Sequence, residues 1–430
     1  MNVLHNTGLP NNAERQYERW LFLRLSALID RLRVTFPGLH TRIDDVERSI
    51  SFLNAFGLRS IIDHATPFFW MNVHRCLTAE HGETALASAL LNYLVGIAFD
   101  AYYPALPDGQ EISIYCTDDD SRIPLPKLGA VIGPVRGCVR LRKVGTNRLT
   151  VEAACTRIDI ALTEIPDRFR FPLLPISNHF SAKLLLASHS SLFETEYIGK
   201  VMPSSANMAA LSSMIADAID LIISVDPSLG DRIASSIGWY VPIGTSSLDI
   251  HHSFSAANLI GVIFLSEARD EFRLAEAIVH EYHHNELHAY SEIALLTSDT
   301  ERLFYSPWRP DARPLYGLIH AIFVFTGISD FYKTAEESAT LHFYHESFRK
   351  RRLEILWQLE VGLAQISDEE LAPAGRELIS QLRIRADAHR RDLKDLRETP
   401  KRLREHLNTW ITAHPTLAPH VRVPNAFGRC

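Results

Sequence analysis

Apolar residues recur every three or four positions across residues 13–36, where Tyr17, Trp20, Leu21, Leu25, Leu28 and Leu32 alternate with charges. The pattern stops at Pro37-Gly38 and predicts an amphipathic helix with one buried stripe. Asp44-x-x-Glu47 has the form of a capping box for a second helix through Phe56, closed by Gly57. Thr66-Pro67 opens a third helix, and residues 83–102 read as a fourth.

After Leu106-Pro107-Asp108-Gly109 the period changes. Residues 111–116, 138–144, 149–154 and 158–162 alternate or run β-branched between Gly and Asp/Asn turns, which predicts a small antiparallel sheet. Residues 165–200 are rich in Pro and Ser and read as irregular. Helical spacing returns over 206–224, with Leu211, Met214, Ile215, Ala218, Ile219 and Ile222 on one stripe. Residues 258–265 (NLIGVIFL) read as a strand and 266–270 as a connector into a helix centred on 275–293. Prolines keep 306–314 non-helical, a new apolar helix begins at about Leu315, and 335–413 is helical with a capping box at Ser367-x-x-Glu370.

These elements predict an α+β fold that is mostly α-helical. It carries a strand beside an H-E-x-x-H helix in the zincin-like manner, plus a small antiparallel sheet. The expected organisation is a helical N-terminal region (1–105), a small β-rich region (106–200), a metal-binding catalytic core (201–365) and a C-terminal helical region (366–430).

Composition narrows the function classes. The chain has 430 residues, 46% hydrophobic and 22% charged, enough for a sizeable core. Its net charge of −7 argues against a nucleic-acid partner. The N-terminal stretch lacks a basic segment followed by an apolar core, so no signal peptide is expected. The longest apolar run, 86–99, contains Ser88 and Asn92 and is too short for a bilayer. Five scattered cysteines form neither a disulfide framework nor a C-x-x-C pattern. A cytoplasmic protein without a membrane partner is expected.

The candidate chemistry centres on His280-Glu281-Tyr282-His283-His284, an H-E-x-x-H pattern. Residues four apart share one helix face, so His280 and His284 can offer two imidazoles to one metal, and Glu281 can address an oxygen species on it. His283 is expected to point away, and His288 lies one turn further along the same face. His320, on the next apolar helix, is the candidate third ligand. Arg309 and Arg313 stand among prolines, a setting suited either to gripping a carboxylate bidentately or to a surface loop with ordinary salt bridges. His251-His252 remain upstream alternatives as ligands. Asp118-Asp119-Asp120 reads as a solvated turn, His342 and His345 as scaffold, and the mixed charges of 383–404 as a solvated helix face.

Two blocks, AEAIVHEYHHNELHA (275–289) and YSPWRPDARPLYGLIHAIFVF (305–325), occur in this order with a helix LEILWQLEVG (353–362) behind them. In these the chain resembles the H-E-x-x-H-type peptide β-hydroxylases that depend on iron and 2-oxoglutarate. That family is found beside maturases of ribosomally made peptide natural products. The resemblance covers mainly residues 250–365; Ala312 stands where proline is expected, and Asn285-Glu286 is a polar departure in the helix. It implies an Fe(II) site on His280, His284 and His320, with Glu281 or Glu292 as carboxylate alternatives for the third ligand. Glu281 would otherwise orient a ligand or metal-bound water. It further implies 2-oxoglutarate held by Arg309 or Arg313, O2 as co-substrate, a precursor peptide as substrate, and a maturase of the same pathway as partner. The motif alone fits a Zn(II) metallopeptidase with Glu281 as base equally well. The Arg-Pro loop, and the lack of an N-E-x-x-E or H-x-x-G-x-x-H extension, count against it. A non-catalytic binding module is the third alternative.

Overall fold

The computed structural model describes residues 13–41, 43–44, 67–78, 84–116, 123–125, 128–133, 135–153, 156–166, 173–176, 183–185, 208–243, 251–268, 270–298, 301–393 and 401–423. The fold is α+β and mostly helical. The expected second helix beyond Asp44 and the Asp118–Asp120 turn lie outside the described residues.

Helix α1 (Ala13–Thr35) buries Leu21, Leu25, Leu28 and Leu32, the stripe its sequence prescribes. It packs on α2 (Pro67–Thr78), which packs on α3 (Thr84–Tyr102). Helix α3 lies against β1 (Glu111–Cys116) and against β2 (Ile123–Leu125), which pairs with β3 (Ala130–Ile132). Strands β4 (Gly137–Val144), β5 (Arg148–Ala153) and β6 (Thr156–Ala161) complete a four-stranded antiparallel sheet in the order β1-β4-β5-β6. On β4, Val139 and Leu141 face the core while Arg140 is exposed, the period-2 alternation of a half-buried strand. Lys143 continues the inward phase yet is buried, because its Nζ donates to the carbonyls of Pro104 (3.0 Å) and Leu106 (2.7 Å).

A second sheet takes strands from distant parts of the chain. Strands β7 (Leu173–Pro175) and β8 (Lys183–Leu185) fall in the stretch expected to be irregular; each is three residues long, too short for a readable period. They join β9 (Trp239–Pro242), β10 (Ser253–Phe254) and β11 (Val262–Leu265) in the order β10-β11-β9-β8-β7. The three central strands are parallel and the two outer ones antiparallel. Strands β9 and β11 are buried throughout. The strand expected over 258–265 is regular only from Val262, since Gly261 takes a φ of 87° and spends its N–H on the Asn285 side chain.

Helices α4 (Met208–Val225) and α5 (Pro227–Ser236) follow the first sheet, and α4 packs on α6 (Glu271–Ser291). Asp226 caps α5 by accepting from Leu229 N. Strands β12 (Leu303–Phe304) and β13 (Arg313–Pro314) bracket the proline-rich loop before α7 (Leu315–Glu337). Helix α7 is long and apolar enough to cross a membrane by composition. Here it is a core helix, packed between α6 and α8 (His345–Gln365) with most of its length buried. Helices α9 (Pro373–Asp392) and α10 (Lys401–Ala413) close the C-terminal side, the latter seating Leu403, Leu407 and Trp410 on Tyr305, Trp357 and Val361.

An ion-pair network joins α7, α8 and α9. The buried Arg352 guanidinium pairs with Glu336 and Asp392 and approaches His389, whose Nε2 meets Asp330 Oδ1 at 2.7 Å; Arg385 also pairs with Asp330. Burial alone would raise the Asp330 carboxyl, but the His389 hydrogen bond and the Arg385 charge bring it down to about 2. A depressed carboxylate contributes stability that is present above its unfolded-state value and is lost as pH falls through its folded one. Urea melts of wild type and Asp330→Asn are therefore expected to differ at pH 6 and to converge between about pH 4 and pH 2. Asp330 keeps 45% of its side chain exposed, so solvent screening limits the difference to about 1 kcal/mol.

Candidate metal centre

The H-E-x-x-H residues all lie on α6, which Asp270 caps by accepting from Arg273 N at 2.8 Å. Two faces of this helix do different work. On the face toward the second sheet, Glu281 accepts hydrogen bonds from Ser253 Oγ (2.8 Å) and Ser255 Oγ (2.7 Å). Asn285, one turn on, donates to Ser255 Oγ (3.0 Å) and to the Val262 carbonyl (3.2 Å), and accepts from Gly261 N (2.7 Å). The polar pair Asn285-Glu286 thus supplies buried anchors: Asn285 holds the sheet, and Glu286 Oε2 meets His283 Nδ1 at 2.8 Å. Burial raises the Glu281 carboxyl to about 7, with the two serine hydroxyls pulling it part of the way back.

The other face meets α7. His284 Nδ1 and His320 Nδ1 are 3.2 Å apart, and their rings stack at 5.5 Å. The His288 ring lies 4.5 Å from that of His320 and 6.1 Å from that of His284. One ligand nitrogen from each of His284, His288 and His320 falls within 4.8 Å of the others. The structure thus brings together two of the expected ligands, His284 and His320, with His288 as the third member. His280 stands outside this group; its ring is edge-on to Phe325 (5.3 Å) and to His284 (4.9 Å). His288 was legible as a continuation of the ligand face, but no spacing rule ranked it above His280.

All four imidazoles are held neutral. Burial is the leading cause in each, bringing His280 and His288 to about 4 and His284 and His320 well below the ordinary histidine value. Neutral imidazole is the metal-ligating form, so no proton need leave on binding. His320 Nε2 is buried with no hydrogen-bond partner among the described residues, an orphaned polar atom of the kind a ligand would satisfy. A donor set of imidazole nitrogens suits iron(II), zinc or copper.

The other candidates take these positions. Arg309 Nε and an Arg313 Nη each bind one oxygen of Asp311, at 3.1 and 3.2 Å. Arg309 is the more exposed, at 60% against 38%. Arg313 lies along Gly317, where a Cβ would come within 3.1 Å of its Nε, and its charge helps hold His320 neutral. Glu292 is the C-cap of α6 and, like Glu281, is not in the imidazole group. His251 Nδ1 is engaged with Ser266 Oγ and the Glu267 carbonyl. Sequence reasoning did not single out Tyr316, whose hydroxyl lies 3.5 Å from His288 Nδ1 and whose ring lies 4.5 Å from that of His320. Its place one turn before His320 on α7 was the available signal.

No protein-family model matches the chain, and no curated protein matches it.

Proposed function

We propose that this protein is an iron(II)- and 2-oxoglutarate-dependent oxygenase that hydroxylates a β-carbon in a ribosomally made precursor peptide. The observation that carries the reading is the set of neutral imidazoles facing one another across α6 and α7, with a guanidinium beside it. His284 and His320, with a further imidazole of α6, would hold the metal and leave other positions for co-substrates. Bound iron(II), with 2-oxoglutarate and O2, supplies the oxidation that places a hydroxyl on an aliphatic carbon.

The chain's own residues supply binding and exclusion. Arg313, the less exposed arginine and the one whose charge reaches His320, would take the distal carboxylate of 2-oxoglutarate in place of Asp311. Trp308 and Phe325, stacked at 5.1 Å, present an apolar wall beside His280. Among the described residues β10 is the outer strand beside β11 and the motif helix, the zincin-like order in which an extended peptide would add to the sheet. A zinc peptidase would need Glu281 free to activate water, whereas its carboxyl is spent on Ser253 and Ser255.

Anaerobic addition of Fe(II) and then 2-oxoglutarate tests the reading. A weak visible charge-transfer band is expected on chelation, and tight Zn(II) binding with no such band sinks the oxygenase. In Arg313→Ala, titration of the same band is expected to need about ten- to a hundred-fold more 2-oxoglutarate, the worth of a charge-assisted hydrogen-bonded pair. An unchanged titration would move the role to Arg309.

A further inference from the structure

We infer that the metal sits one helical turn beyond the H-E-x-x-H pair, on His284, His288 and His320, and that His280 is not a ligand. This rests on the metal-dependent reading above, though not on the reaction assigned to it.

Helices α6 and α7 run antiparallel, and ring contacts fix their register. Tyr316 and His320 lie against His288 and His284, Phe323 against His283, Phe325 against His280, and Phe331 against Phe272. A metal bridging His280 and His284 would draw its third donor from α7 about one turn past His320, a rise of about 5.4 Å. That level carries Val324, which is buried, and Phe325. Neither has a ligand atom.

At the level of His284 and His288, α7 does present a donor. Two nitrogens each about 2.1 Å from one ion stand no more than about 4.2 Å apart. The 4.8 Å spread of the three imidazoles therefore needs only a small closure, within the reach of side-chain rotation.

His280 is accounted for without a metal. Its ring meets the edge of the Phe325–Trp308 stack, and the Arg351 guanidinium, 6.0 Å from the Phe325 ring, adds a positive charge on the same side. Glu281 is likewise accounted for by its serine partners. In this chain the chelating motif is thus His284-x-x-x-His288, overlapping the H-E-x-x-H by one residue, and the familiar pattern contributes a single ligand.

Equilibrium dialysis of the full chain against Zn(II) and Co(II), with bound metal counted by mass spectrometry, tests the assignment. His280→Phe is expected to keep one metal per chain at close to wild-type affinity. His288→Gln is expected to lose at least about a hundred-fold, more than removal of an outer hydrogen-bond partner costs. The reverse order overturns the assignment. Should His288→Gln fail to fold, His280→Phe decides alone: with a wild-type apo Tm, retained metal supports the register and lost metal overturns it. If the wild-type chain takes up no metal, the metal-dependent reading itself falls, an outcome distinct from uptake that depends on His280.

Discussion

On the proposed oxygenase reading, replacing His320 by alanine is expected to lower 2-oxoglutarate-dependent turnover by about a thousand-fold while the chain still folds. His320 is the donor that α7 contributes, and the two helices meet through it at the imidazole group. Without it the remaining proposed ligands would lie on one helix, and a metal on two imidazoles of one face would lack its third protein ligand. Metal-dependent stabilisation of a transition state is worth several kcal/mol, and four of them correspond to about a thousand-fold in rate. The packing cost is smaller, because His320 is flanked by Tyr316 and His288, which can relax toward the space. The measurement pairs turnover with apo and metal-loaded Tm. An apo Tm near wild type with no metal-induced rise is the expected pair. Full turnover in the variant would remove His320 from the centre.

Gly327→Ala is expected to destabilise the fold by about 2–4 kcal/mol, as overpacking in a core does. A Cβ at this position would be driven into the His283 imidazole, inside contact of its Nε2, Cδ2 and Cε1. His283 cannot swing away, since it is 3% exposed, its Nδ1 is tied to Glu286 Oε2, and Phe323 meets its ring edge-on. The backbone is helical here, so the cost is steric and not one of conformation. Denaturant melts check the size of the loss. Adding His283→Ala to Gly327→Ala should return part of it, because the clash disappears; two losses that simply add would show that the helices are held apart by something else.

Much of this arrangement is legible in the sequence. The helix over α1, the four strands of the antiparallel sheet, the start of α7 at Leu315 and the box at Ser367-x-x-Glu370 all follow from period and capping. The prolines of the 306–314 loop mark the start of α7, and the side-chain spacing on α6 puts His280, His284 and His288 on one face. Helix α5 was missed, although Asp226-Pro227 is an N-cap followed by proline at the first helical position. Strand β8 is held by parallel pairing with the distant β9 and β7 by pairing with β8, which no local pattern reports. Which turn of α6 faces His320 depends on how deeply two helices slide past each other. That is set by contacts such as His283 on Gly327 and Phe272 on Phe331. Motif spacing describes one helix at a time and is silent about it.

The split between the two faces of α6 has a consequence for how this centre can be altered. Glu281 and Asn285 tie the helix to the β10–β11 edge through hydroxyls, a carbonyl and an amide, so changes there disturb the sheet before they disturb the chemistry. The adjacent stripe of His284 and His288, about 60° round the helix, meets α7 and not the sheet. Exchanging His288 for a carboxylate would add negative charge and harder oxygen donors while the frame that sets the distance to α7 stays in place. On the proposed metal-dependent reading, metal preference would then be set by side chains that make none of the hydrogen bonds anchoring α6 to the sheet.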